Sequence, residues 1–350
     1  MEALVFRDVC DLAVADVPRP RPLPQEVVVD VSLAGICGSD IHGYVGHSER
    51  RTNNTPLIMG HEIVGRVSAT GSAVTNHFAI GERVVVQPMI ACGTCATCRA
   101  GHTNVCPNME ILGIERSGGF ASSVAVPADR LFAVPDSLPD EAAVMVEPLA
   151  IEVRLFRQLA GSLVRSVVIL GAGAQGILAI QLARMMGISR IIASDTVQAR
   201  LDMAMRLGAT NAIHALEEDV PAVIRRLTGG EGVEVAIETA GASAARQDGL
   251  HALSRGGTFA IVGLGQQHTP IDFLDLVSQE KRIQGVYCYT DDDFVRALEI
   301  LTEGHIQVEP MISTLPLSDG PAAFTSIAEG MASTVKTLLR PTPPQVGEEK

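Results

Sequence analysis

The sequence predicts an α/β protein with two domains, one of them built on a doubly wound parallel sheet. Three observations predict it. The chain has 350 residues, about two domains at roughly 150 residues each. It is 47% hydrophobic and 19% charged, the balance of a globular chain rather than a disordered one. The hydrophobic rhythm also changes near Glu147. Before it lie short β-branched runs broken by Pro and Gly, and after it strand and helix patterns alternate.

Val27–Val31, Ile63–Ser68 and Val84–Gln87 read as strands because β-branched residues run between turn formers. The stretch holding Pro18, Pro20, Pro22 and Pro24 reads as an extended surface connection in preference to a polyproline ligand. Beyond Glu147, strand Val167–Leu170 leads to helix Gln175–Met186, strand Arg190–Ser194 and helix Ala199–Leu207. Strands Val233–Thr239 and Thr258–Val262 follow. Their nearly continuous apolar character is that of strands buried on both faces, which implies a parallel sheet. After Tyr287 comes a helix, Asp293–Thr302. The run Asp291–Asp293 places carboxylates at its N-terminus, where the helix dipole favours them. The tail Pro341–Lys350 is expected to fray.

Lys and Arg number 27 against 40 Asp and Glu, a formal charge of −13. That excess argues against a general nucleic-acid or anionic-membrane binder. Aromatic residues make up 3% and Trp is absent, so stacking platforms for single strands are not expected. Apolar runs stop well short of the ~20 residues a membrane span needs. The N-terminal residues lack an apolar signal core. The expectation is a cytoplasmic protein with no membrane and no nucleic-acid partner.

Val167–Leu170 runs into Gly171-Ala-Gly173-Ala174-Gln175-Gly176 and then a helix. In that strand-turn-helix setting, Gly171 permits a tight turn, Gly173 admits a pyrophosphate and Gly176 lets helix and strand pack closely. The N–H groups of Ala174 and Gln175 open the helix, where phosphate binds. Asp195 ends the next strand, 19 residues after Gly176. Its carboxylate suits a ribose 2′-OH, so the expected cofactor is NAD rather than NADP. Arg200 could lie near the adenosine, against a plain surface role.

Seven cysteines are present. Cys92, Cys95, Cys98 and Cys106 form a compact thiolate cluster, which fits a closed structural zinc site. An iron–sulfur run and disulfides are competing readings. A zinc knuckle for nucleic acid is a further one, with only Arg99 and His102 adding local basic character. Cys37 lies in Gly35-Ile-Cys-Gly-Ser-Asp-Ile-His42, His61 and Glu62 in Gly60-His-Glu-Ile-Val-Gly65, and Glu147 in Val146-Glu-Pro-Leu149. Each residue alone has a bland explanation, and spacing does not show that the three stretches meet.

These stretches, in this order and together with the four-cysteine loop and the glycine turn, resemble the zinc-dependent medium-chain dehydrogenase/reductase family over nearly the whole chain. Glu147-Pro and Gly285-Val-Tyr-Cys-Tyr289 resemble its sorbitol (polyol) dehydrogenase branch. The resemblance implies a GroES-like β-barrel catalytic domain, residues 1–152 and 289–350, around a Rossmann NAD-binding domain, residues 153–288. It implies that Cys37, His61 and Glu147 surround a catalytic zinc, with Glu62 close behind and able to exchange onto the metal. Asp40 resembles the carboxylate that holds the zinc-binding histidine, with a helix N-cap as its alternative role. Ser39 and His42 resemble a proton relay. An alcohol's proton would leave through Ser39, the cofactor ribose and His42 while hydride passes to nicotinamide.

Tyr44, Phe120, Glu147 and Tyr289 are the substrate-pocket candidates, with ordinary packing the competing reading for each aromatic. Cys288 stands where some sorbitol dehydrogenases carry an arginine. Arg50 and Arg51 either meet an acidic substrate or are solvated loop charges. The implied activity is hydride transfer between NAD(H) and a polyol or other secondary alcohol, in a homotetramer or homodimer with one catalytic and one structural zinc per chain. The alternatives are a threonine 3-dehydrogenase-like or butanediol (vicinal diol) enzyme, and a non-catalytic NAD-binding structural or regulatory protein.

Overall fold

The computed structural model describes residues 1–75, 78–159, 164–331 and 334–343. Residues 344–350, most of the tail expected to fray, lie outside the described residues. The chain divides into two units. One comprises residues 1–147, 290–303 and 311–350, the other residues 148–289 and 304–310.

The second unit is built on six parallel strands. In spatial order they are Asn211–His214, Arg190–Asp195, Ser166–Leu170, Val233–Glu238, Leu253–Ile261 and Arg282–Gly285. Every neighbouring pair is parallel. The chain enters at the centre, winds outward one way, and returns to wind the other. The strand order therefore reverses between Ser166–Leu170 and Val233–Glu238, where folds of this type bind ligands at the carboxyl ends of the strands. All five residues of Ser166–Leu170 are buried, the physical cause of its unbroken apolar run.

The helices Ala174–Met185 and Gln198–Leu207 fall where the sequence puts them, to within a residue. Strand Asn211–His214 and helices Val220–Leu227 and Ser243–Ala252 have no counterpart in that reading. Val220–Leu227 is brief but carries clear start signals. Asp219 accepts from the Ala222 N–H at 2.9 Å, and Pro221 stands in the first turn. Val168, Ile192, Ile213, Ile224 and Phe259 form the core of this unit.

In the first unit, strand Glu26–Gly35 is the organiser. It pairs antiparallel with Glu62–Thr70, Ser123–Pro127 and the C-terminal strand Lys336–Arg340. Ile312–Pro316 adds in parallel beside Lys336–Arg340, and Arg83–Val86 and Leu131–Ala133 extend the other side. A smaller sheet joins Asp11–Asp16, Glu2–Asp8 and Leu57–Ile58. Leu4, Phe6, Val29, Ile63, Phe120 and Phe324 meet in the core.

The strand read as Val84–Gln87 is Arg83–Val86. Gln87 leaves the ladder to donate through its side chain to Asp291 at 2.9 Å. The helix read from Asp293 begins at Asp291, and Asp293 accepts from the Thr290 N–H at 2.8 Å as part of a capping box. Among the described residues no helix is long and apolar enough to cross a membrane.

Candidate metal and cofactor sites

Cys37 follows strand Glu26–Gly35 and is the N-cap of helix Gly38–Tyr44. Asp40, three residues in, accepts from the Cys37 N–H at 3.0 Å. Asp40 is therefore not the N-cap; it closes the capping box from inside the first turn. Antiparallel pairing sets Gly35 opposite Glu62, and this register carries Cys37 to the His61-Glu62 pair. Gly60 makes the approach possible. Its φ is +92°, and a Cβ there would lie 2.7 Å from the Phe120 ring. Ligand atoms of Cys37, His61 and Glu62 consequently lie within 4.8 Å of one another.

Behind this trio His61 Nδ1 lies 3.3 Å from Asp40 Oδ1. Burial pushes the Asp40 carboxyl up, but His61, then Arg51 and the Cys37 N–H, hold it below its ordinary value. Burial likewise lowers His61, yet Asp40 and Cys37 raise it well above its ordinary value. Asp40 thus stays anionic, and the pocket favours positive charge. Glu62 is buried and pairs with the Lys336 ammonium through both carboxylate oxygens, Oε2 the nearer. A Cβ at Gly35 would fall 2.0 Å from that oxygen. A thiolate, an imidazole and a buried carboxylate around so small a space fit a divalent zinc-type cation.

Glu147 is the second residue of helix Val146–Leu159 and is buried. It stands outside the three-residue group, close enough for its charge to act on Lys336. Lys336 is a site residue that sequence reading missed. It donates to the Ile36 carbonyl at 2.9 Å and is 3% exposed. Burial pushes it down, but Glu62 foremost, then Cys37 and Glu147, hold it above its ordinary value and cationic. No local signal could have found it, since it lies 274 residues from Glu62.

Ser39 is half-buried, and its Oγ lies 3.4 Å from Arg51 Nη2. His42, in the last turn of the same helix, is held below its ordinary pKa by burial, then by His47 and Arg51. It is therefore neutral at pH 7 and able to accept a proton.

Read from sequence, Arg50 and Arg51 are loop charges or contacts for an acidic substrate. The structure gives both other partners. Arg50 pairs with Glu115 at 2.7 Å, and Arg51 turns inward and is 3% exposed. The substrate-pocket aromatics are likewise seated in packing. Tyr44 is buried, its hydroxyl is 3.2 Å from Thr325 Oγ1, and its ring meets Phe324 edge-on. Phe120 is fully buried against the same Phe324, and Tyr289 is fully buried. For Tyr44 and Phe120, burial in the apolar core of the first unit, invisible locally, decides the placement.

The four-cysteine loop closes on itself. Its sulfurs all lie within 4.8 Å of one another. Cys92 and Cys106 are 3.5 Å apart, and Cys92–Cys98 and Cys95–Cys106 are each 4.0 Å apart. A tetrahedron with zinc–sulfur bonds of ~2.3 Å has edges of ~3.8 Å, so the fit is to one zinc-sized ion. All seven cysteines are free thiols, and these separations far exceed the ~2.05 Å of a disulfide. The Thr94 and Cys95 N–H groups, foremost, pull Cys92 down to about 5, while burial raises Cys98 to about 12.

In the second unit the glycine turn has the geometry its sequence suggests. Gly171 has φ +104°, and a Cβ on Gly176 would lie 1.8 Å from the Gly171 carbonyl oxygen. At Gly173 a Cβ would meet nothing within 4 Å, leaving open space beside the first turn of helix Ala174–Met185. Asp195 is more engaged than a free ribose acceptor. It accepts from the Ala172 N–H at 2.7 Å and the Val197 N–H at 2.9 Å, and Arg200 stands 3.9 Å away. Gln175 turns away from the open space. With the amide oriented to satisfy its neighbours, its nitrogen faces the Pro148 carbonyl at 3.2 Å and Glu152 at 2.8 Å.

A parallel sheet with a phosphate-type glycine turn, joined in one chain to a cysteine-histidine-carboxylate group and a four-cysteine loop, defines a zinc-dependent dinucleotide oxidoreductase. Comparison with known proteins agrees. Residues 174–303 match the zinc-binding dehydrogenase family and residues 23–136 the alcohol dehydrogenase GroES-like domain. The chain is 33% identical to a sorbitol dehydrogenase of Bacillus subtilis (strain 168) over 316 residues, 89% of each chain. It is 34% identical to an L-threonine 3-dehydrogenase of Anaeromyxobacter sp. (strain K) over 275 residues, 78% of this chain and 79% of the relative. A solved structure described as a zinc-binding dehydrogenase from Sinorhizobium meliloti 1021, bound to NADP, superposes with a TM-score of 0.90. It is 33% identical, and the match covers 97% of this chain and 99% of that one. The chain belongs to the zinc-dependent medium-chain dehydrogenase family. It is an NAD(P)- and zinc-dependent oxidoreductase with a GroES-like part and a Rossmann-type sheet.

Proposed function

We propose that this protein oxidises a polyol or other secondary alcohol with NAD, and reduces the matching ketone by the reverse route. The observation that carries the reading is the meeting of Cys37, His61 and Glu62 ligand atoms within 4.8 Å. With Glu147 they would hold the catalytic zinc, and Cys92, Cys95, Cys98 and Cys106 the structural one. When bound, zinc supplies the Lewis acidity that lowers the alcohol's pKa, and nicotinamide accepts the hydride. Asp40 orients the His61 ring from behind. Ser39 Oγ accepts the alcohol proton, and the neutral His42 imidazole receives it on the way to solvent. Gly173 leaves room for the pyrophosphate, and the Asp195 carboxylate disfavours a 2′-phosphate, which supports NAD over NADP.

An uncharged substrate is favoured because Arg50 and Arg51, the cations suited to greeting an acid, are paired with the protein itself. An amino-acid substrate such as L-threonine is the second reading, and similarity to threonine 3-dehydrogenases supports it. Cysteines grouped as zinc ligands and kept out of disulfides suit a reducing, cytoplasmic compartment.

The oligomer is read as a dimer or tetramer of identical chains. Phe273, Leu274 and Val277 are 68%, 77% and 72% exposed, beside the edge strand Arg282–Gly285. An open edge next to an apolar helix is a surface that a second copy would cover.

The test is turnover by metal-assayed protein with NAD and a panel of polyols, vicinal diols, secondary alcohols and L-threonine, with Cys37→Ala as control. NADH formation that the substitution abolishes supports the reading, and the preferred compound fixes the substrate. A wild-type protein with no metal at the Cys37 site and no turnover overturns it in favour of a non-catalytic dinucleotide-binding role.

A further inference from the structure

Arg51 is the least expected residue of the first unit. It belongs to the loop helix Glu49–Thr52, in a polar stretch, yet its side chain is 3% exposed. Burying a guanidinium is costly unless its donors are satisfied, and here both terminal nitrogens are directed at the first turn of helix Gly38–Tyr44. Nη1 donates to the Ser39 carbonyl at 2.9 Å, and Nη2 to Asp40 Oδ1 at 3.1 Å and to Ser39 Oγ at 3.4 Å. Nε donates to the Gly113 carbonyl at 3.2 Å. Gly43 makes room for the stem, since a Cβ there would lie 2.4 Å from Arg51 Cδ.

Asp40 Oδ1, the oxygen Arg51 binds, is also the one 3.3 Å from His61 Nδ1. One planar fork thus fixes both the carboxylate behind His61 and the serine beside Cys37. We propose that Arg51 is a positioning residue for the zinc site. It holds Asp40 so that the carboxylate orients the His61 ring toward the metal. It also occupies a lone pair of Ser39 Oγ, leaving that hydroxyl's proton free to be passed on. Lysine does not replace it: a single ammonium reaches Asp40 or the Ser39 carbonyl, not both together with Gly113. This inference rests on the proposed zinc site at Cys37, His61 and Glu62.

The test compares wild type, Arg51→Met and Arg51→Lys by zinc content, zinc release to a chromophoric chelator, and the visible spectrum after cobalt substitution. Thermal melting establishes that each variant is folded. The expected result is two zinc ions per wild-type chain. In Arg51→Met, affinity at the Cys37 site falls by roughly 10–100-fold, the range for lost partners of a metal-bound histidine. The four-cysteine ion is retained, and the cobalt bands of the Cys37 site shift. Arg51→Lys recovers part of the affinity. Two zinc ions held by Arg51→Met as tightly as by wild type, with unchanged cobalt bands, overturn the proposal and leave the functional reading intact. A wild-type chain that holds zinc at the four cysteines alone overturns both. Should Arg51→Met not fold, Arg51→Lys decides, with wild-type affinity and cobalt bands as the contrary outcome.

Discussion

His61 Nδ1 lies 3.3 Å from Asp40 Oδ1, with the carboxylate fully buried. A metal-binding imidazole has one nitrogen for the ion, and its orientation is fixed by what the other nitrogen faces. Asp40→Asn keeps the shape and removes the charge. It is expected to lower zinc affinity at this site by about 10–100-fold, while the four-cysteine zinc stays bound. Metal analysis after graded chelation reads both at once.

The four-cysteine loop predicts a different failure. Cys98 is buried, and its sulfur lies 4.0 Å from Cys92 Sγ. Cys98→Ser should release one zinc per chain and cost stability on the order of 4 kcal/mol, the class of a lost metal. Differential scanning calorimetry with metal counting checks it. Retention of both ions with an unchanged melting temperature would count against a structural zinc.

Two glycines of one turn should part company. Gly176→Ala drives a Cβ to 1.8 Å from the Gly171 carbonyl and should destabilise the second unit by ~2–3 kcal/mol or more. Gly173→Ala meets open space at φ −73°, which alanine adopts freely. It should cost no more than about 1 kcal/mol as a helix N-cap change, yet raise KM for NAD at least tenfold, or ~1.4 kcal/mol. Melting curves and initial rates on the same two variants separate packing from phosphate access.

Glu152 supplies a pH signature. It is fully buried and burial raises it to about 8, so the folded chain keeps a proton that the unfolded chain releases near pH 4.5. Its folded pKa is the higher one. Stability is therefore greatest below the unfolded value and falls as pH rises through about 8. Glu152→Gln keeps a partner for Gln175 and removes this loss. The variant should gain on wild type from pH 5 to 8, by a few kcal/mol at most. Urea titrations at pH 5 and pH 8.5 test the sign, and a gain confined to low pH would falsify it.

The exposed Phe273 and Val277 predict that self-association depends on helix Phe273–Ser278. Phe273→Asp with Val277→Asp should shift sedimentation of the proposed oligomer toward the monomer without lowering zinc content, because both side chains are exposed and neither belongs to a metal-ligand group. An unchanged oligomer would place the interface elsewhere.

The sequence alone determined whatever depends on neighbours along the chain. Gly171, Gly173 and Gly176 announce their turn because φ sign and lack of a Cβ are local demands. The cysteines from Cys92 to Cys106 announce their loop because four thiolates within fifteen residues can reach one small ion. The buried strands after Glu147 show in their unbroken apolar runs.

Only the tertiary structure decided the rest. Cys37 meets His61 and Glu62 because two antiparallel strands choose the register that puts Gly35 opposite Glu62, and a register is settled by the whole buried face. Lys336 reaches Glu62 because the last strand pairs beside Gly35. Arg51 turns inward, and Tyr44 and Phe120 enter the core, because burial is a property of surroundings assembled from distant segments. The local sequence of an arginine or an aromatic ring does not say which way it will face.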